Sequence, residues 1–264
     1  MPVVRFARLA RFPLLMAACT LAHGAAPGTE WADERQAGRF VLHADFPLDE
    51  HPRLAGELAS LERDVTSALG VEPTRELIHL FLFRDSRSYQ TYLNEYFPGA
   101  PVRRALFIKG KQLGWVFAFE SPEFEVDVRH ESTHALLHSC LPTVPLWLDE
   151  GLAEYFEVPV DQRVYDNPHC SPTRWAARFG RVRPLRDLEQ LRDVRELGEA
   201  EYRASWAWVH FMLHGPPEAH TVLVQYLRDI QSNMPPGTLE DRLRRAVPDV
   251  EARFLAHFRN WRPR

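Results

Sequence analysis

The sequence predicts an α+β fold. Two observations carry that expectation. Strand-like segments, rich in β-branched and aromatic residues, fall in the first half of the 264 residues. From Val126 onward nearly every readable segment is helical and is broken by proline-rich loops. Strands followed by helices, rather than strict alternation, is the pattern of α+β proteins. A third observation agrees: there is no internal repeat, no low-complexity stretch and no long linker, so residues 25–264 read as one domain. Within it, 29–122 form a β-containing lobe and 123–264 a helical lobe.

The elements follow in order. Gly38 to Phe46 (GRFVLHADF) reads as a strand. His51 to Leu69 reads as a helix, because Leu54, Leu58, Leu61, Val65 and Leu69 recur every three or four residues and Gly70 follows as a stop. Leu77 to Phe83 (LIHLFLF) is apolar enough for a central strand. Ser86 to Phe97 reads as a helix carrying Tyr89, Tyr92 and Tyr96. Ala105 to Lys109 and Leu113 to Glu120 form a hairpin turning at Lys109-Gly110-Lys111. Phe124 to His138 contains no Gly or Pro and is free to be helical. Pro145 is placed to open another helix, since a first-turn proline loses no needed hydrogen bond.

Residues 1–24 read as a signal peptide. Arg5, Arg8 and Arg11 precede an apolar run, Phe12 to Ala22, too short for a stable transmembrane anchor, and Ala22-His23-Gly24 offers a cleavage site. The expectation is an exported protein, periplasmic or secreted, with no transmembrane span in the mature chain. A lipid anchor at Cys19 is the less favoured variant. Removing residues 1–24 removes three arginines and no acid, taking the net charge from −4 to −7. Apolar residues at 45% and charged residues at 26% exclude a disordered chain. A pI of about 6.3 leaves no basic footprint for nucleic acid. The mature chain keeps Cys140 and Cys170, which an oxidising compartment would allow either to pair or to stay apart.

The chemistry lies in His130-Glu131-Ser132-Thr133-His134. Residues four apart share a helix face, so two neutral imidazoles can point at one zinc ion. Glu131 sits about 100° around the same helix, where it can act on a water without displacing a ligand. Glu150 lies sixteen residues after His134, in Trp147-Leu148-Asp149-Glu150-Gly151-Leu152-Ala153-Glu154-Tyr155-Phe156-Glu157. Glu150 and Glu154 share one face of that helix, and Leu148, Leu152 and Phe156 another. The six residues from Ser139 to Val144 would bring the two helices back antiparallel, with Glu150 opposite the histidines. Two His and one Glu leave one zinc position open, as in catalytic sites. Asp149 is the rival third ligand, about 100° off the face of Glu150 and Glu154. His138 lies eight residues, or about 12 Å, beyond His130 and is too far to share the ion.

The two motifs together resemble the gluzincin metallopeptidases, and more narrowly the peptidase-MA-like bacterial exported families with a WLxEGLAEYF second helix. The resemblance implies a zincin-like fold. It implies His130, His134 and Glu150 as ligands of Zn2+ and Glu131 as general base. It implies that Glu154 hydrogen-bonds a ligand histidine from behind. An oxyanion donor is expected among Tyr202, Tyr155 and His210, with Tyr202 first by likeness. Gly114 to Phe119 resembles the family's exposed edge strand that pairs with an extended substrate, and on sequence alone reads equally well as a plain core hairpin. The shorter interval between His134 and Glu150 departs from the thermolysin-type pattern, so the family's substrate pockets do not carry over. The reading is a zinc-dependent peptidase acting on peptide or protein substrates. The alternative is a zinc-stabilised, non-catalytic envelope binding protein.

Overall fold

A computed structural model describes residues 30–110 and 114–262. The expected signal peptide over residues 1–24, with Cys19, and the expected turn of the hairpin beyond Gly110 lie outside the described residues. Among the described residues, no helix is long and apolar enough to cross a membrane.

The first half builds one five-stranded sheet. β1 (Asp33–Ala37), β2 (Phe40–Ala44), β3 (Ile78–Phe83), β4 (Ala105–Lys109) and β5 (Gly114–Phe119) lie in the order β1-β2-β3-β5-β4. β2, β3 and β5 are parallel, and the outer strands β1 and β4 are antiparallel to their neighbours. β1 is an addition to the sequence reading, because Asp33-Glu34-Arg35-Gln36 has no apolar run to announce it. The period-two rule sorts the side chains of the central strands. Phe40, Leu42, Ala44, Ile78, Leu80 and Leu82 face the main core, while Phe81, Phe83 and Phe117 face a smaller aromatic cluster.

Helices fill both faces. α1 (Leu54–Leu69) buries Leu54, Leu58, Leu61, Val65 and Leu69 and ends at Gly70, which adopts a left-handed φ of 59°. That conformation suits glycine because it has no Cβ. α2 (Ser86–Tyr96) is capped by the Asp85 carboxylate, which accepts from the Arg87 and Ser88 amides. It covers the aromatic cluster with Tyr89, Tyr92 and Leu93.

The second half is helical: α3 (Phe124–Cys140), α4 (Leu146–Phe156), α5 (Cys170–Arg178), α6 (Leu185–Glu189), α7 (Glu199–His214), α8 (Pro217–Gln231), α9 (Leu239–Ala246) and α10 (Val250–Asn260). The chain is therefore α+β, as the sequence predicts. α3 is buried on every face from Asp127 to Leu137, although it carries Arg129, His130, Glu131 and His134. Buried charge is tolerated only when paired. Arg129 accordingly donates from Nε to the Glu157 carbonyl at 2.6 Å and from Nη1 to Glu57 at 2.5 Å.

α4 lies against α7 at Gly151. A Cβ there would stand 2.6 Å from the Ser205 carbonyl oxygen and 2.7 Å from its carbon. Only a glycine admits that approach, so Gly151 fixes how closely the two helices pack around the residue next to Glu150.

Candidate metal centre

His130 and His134 are successive-turn neighbours on α3, and their Nε2 atoms lie 3.1 Å apart. Glu150, from α4, brings Oε2 to 3.6 Å from His130 Nε2 and 3.8 Å from His134 Nε2. All three side chains are fully buried. One ligand atom from each falls within 4.8 Å of the others.

This arrangement fits a cation. Both Glu150 carboxylate oxygens are buried without a hydrogen-bond partner. Two oxygens left so would be costly, and a metal ion between them and the imidazoles removes that cost. The electrostatics point the same way. Burial pushes the Glu150 carboxyl well above its usual range, with His134 opposing. Burial lowers the His134 imidazole, but Asp149, Glu150 and Glu131 outweigh it and lift it to about 10. The cluster is short of positive charge, and a divalent ion in place of protons would supply it. Two nitrogens and one carboxylate suit zinc.

The histidines are held from behind by carboxylates. Glu157 Oε2 accepts from His130 Nδ1 at 2.8 Å. Asp149 Oδ1 lies 2.9 Å from His134 Nδ1, and its Oδ2 accepts from His138 Nε2 at 2.9 Å. Carboxylates in these places fix each ring with Nε2 turned towards Glu150. Burial raises the Asp149 carboxyl, but His134 and His138 outweigh it and hold it below the ordinary carboxylate range. Asp149, the rival third ligand, is thus placed to orient His134, and His138 joins the layer behind it.

Glu154 and Glu157 both reach the back of His130: one ligand atom from each of the three residues falls within 4.8 Å of the others. The bond to His130 Nδ1 comes from Glu157, while Glu154 Oε2 accepts from His169 Nε2 at 2.8 Å. Glu157 is the residue that closes α4, and Arg129 on α3 donates to its carbonyl. Sequence reasoning missed Glu157. The signal was present, since Glu150, Glu154 and Glu157 follow at i, i+4 and i+7, one stripe of a helix.

Glu131 is buried, and its Oε2 accepts from the Phe107 amide at 2.9 Å. Phe107 lies on β4, the edge strand of the sheet. Of the two readings of Gly114 to Phe119, the core hairpin holds and the exposed edge does not: it is interior strand β5, because its hairpin partner β4 covers that side. The outer backbone edge beside the candidate base therefore belongs to β4, with its Phe107 amide held by Glu131.

The three oxyanion candidates all make contacts of their own. The Tyr155 hydroxyl pairs with His214 Nε2 at 2.7 Å. His210 donates from Nε2 to the Val164 carbonyl at 3.0 Å and meets His257 through Nδ1 at 3.1 Å. Tyr202 is buried in the first turns of α7, one turn before Ser205, the residue packed on Gly151. Cys140 and Cys170 are both buried as free thiols, so the disulfide considered from sequence is not formed.

No protein-family model and no curated protein matches the chain. Two crystal structures of an M1 zinc metallopeptidase from Deinococcus radiodurans, one of them a mutant, are similar to it. The mutant shows a TM-score of 0.46 and 19% identity over 89% of this chain. The other shows a TM-score of 0.44 and 16% identity over 88%. Each is matched over 52% of its own length, so the chain spans about half of either protein.

Proposed function

We propose that this chain is an exported zinc-dependent peptidase. The observation that carries the reading is the buried meeting of His130 Nε2, His134 Nε2 and two unpartnered Glu150 oxygens, with Glu131 on the next position of the same helix. His130, His134 and Glu150 would hold the ion. When bound, zinc supplies Lewis acidity towards a water and a substrate carbonyl.

The chain's own residues do the rest. Glu131 takes the proton of the attacking water and passes it to the leaving amine. The edge of β4 receives an extended peptide by strand addition, which places the scissile bond beside Glu131. Glu157 and Asp149 keep the ligand rings in their working orientation. Tyr202 serves as the oxyanion donor. Residues 1–24 direct export to the periplasm or beyond it, with a lipid anchor at Cys19 as the lesser variant.

The test is Glu131→Gln assayed on a peptide library. Hydrolysis should fall by about 10²–10⁴-fold with zinc still bound. Hydrolysis at the wild-type rate by that variant would overturn the reading.

A further inference from the structure

Helix α5 presents a face that the candidate metal centre does not use. Cys170, Thr173 and Ala177 point inward. Trp175 and Phe179, one turn apart, stand outward at 60% exposure each, with ring centroids 4.5 Å apart. Among the described residues, no other Trp, Phe or Tyr is exposed. Leaving both rings in water is unfavourable unless something covers them.

The charge around them is one-sided. Between Asp166 and Asp187 the sequence has no acid and five arginines: Arg174, Arg178, Arg181, Arg183 and Arg186. This run sits in a chain of net charge −4. Arg183 pairs with Glu201, and Arg186 lies 3.4 Å from Glu240. Among the described residues, Arg174, Arg178 and Arg181 have no ion-pair partner and make no side-chain hydrogen bond. The helix is firmly seated, since it packs on α10 and Arg259 Nε donates to the Ala177 carbonyl at 2.8 Å.

We propose that α5 and the turn after it form a docking face for an anionic lipid bilayer. Trp175 and Phe179 enter the headgroup region, and Arg174, Arg178 and Arg181 engage lipid phosphates. Aromatic rings favour that depth because one side meets hydrocarbon and the other meets polar groups. Each arginine raises affinity for an anionic surface about five-fold. A lipid surface suits the shape better than a peptide does. The rings stand out from a convex helix and line neither of two surface cavities, of about 400 and 360 Å³.

The test uses the full chain with vesicles of phosphatidylglycerol or phosphatidylcholine whose acyl chains carry bromine, a short-range quencher of tryptophan. The signal is the difference between wild type and Trp175→Phe, which isolates Trp175 from the other six tryptophans and from the apolar stretch near the N-terminus. Trp175 emission should be quenched by anionic vesicles and at least ten-fold less by neutral ones at equal lipid. Arg178→Glu with Arg181→Glu should lower the apparent lipid affinity for this signal at least ten-fold, with the thermal midpoint unchanged. No quenching of Trp175, or equal quenching by both lipids, would overturn the proposal. So would a Trp175 signal that follows protein concentration without vesicles, or one produced equally by soluble poly-glutamate.

Discussion

Glu157 accepts a hydrogen bond from His130 Nδ1 at 2.8 Å, behind the ring and opposite the nitrogen that faces Glu150. It sets the ring's tautomer and angle. Glu157→Gln should therefore weaken zinc binding by about 10–100-fold without removing a ligand. Competition with a chromophoric chelator reads this directly. Glu154→Gln, which alters the partner of His169, should have the smaller effect. The reverse ranking would give the larger supporting role to Glu154.

Gly151→Ala should destabilise the protein by about 1–3 kcal/mol, the usual cost of overpacking a tight contact. The added methyl meets the Ser205 backbone at 2.6 Å, and backbone yields less than a flexible side chain. Denaturant unfolding measures it. A neutral result would mean that α4 and α7 slide apart at no cost.

Acid should loosen the C-terminal helices. His210 and His214 on α7 and His257 on α10 stand together, with the Tyr155 hydroxyl on His214 and the Val164 carbonyl on His210. Burial draws His214 and His257 down to about 4 and His210 well below its usual value, with neighbouring imidazoles adding to each shift. The unfolded chain protonates these rings near pH 6.5, and the folded chain does so only at lower pH. Between those values the unfolded state binds more protons, so stability falls as pH falls. The expected slope is about 1 kcal/mol per pH unit for each imidazole between pH 6.5 and 5. The thermal midpoint should drop over that window, and His257→Gln should flatten the drop. An equally steep profile in the variant would contradict this account.

Tyr202→Phe should lower kcat by about 10²–10³-fold with KM little changed, as loss of an oxyanion donor does. Steady-state kinetics on a peptide substrate separates the two constants. A rise in KM alone would assign Tyr202 to substrate binding.

Much of this was legible in the sequence, because periodicity reports burial. The leucine stripe of α1, its stop at Gly70 and the hairpin of β4 and β5 follow from local pattern. Strand order does not. Whether β4 or β5 lies at the edge depends on long-range pairing with β3, which no local pattern records. The His130, His134 and Glu150 spacing was readable because it lies within two helices and one short loop. Their supporting carboxylates were harder to assign. Helical spacing puts Glu154 and Glu157 on one stripe, and only the packing of α4 against α3 and of His169 against α4 shows that both cluster with His130, with the 2.8 Å bond to its Nδ1 made by Glu157.

The central claim is that His130, His134 and Glu150 form a zinc site. Elemental analysis of protein purified without chelator tests it most directly. The account predicts one zinc per folded chain in the wild type and none in His134→Ala. A folded wild-type protein without stoichiometric metal would contradict it.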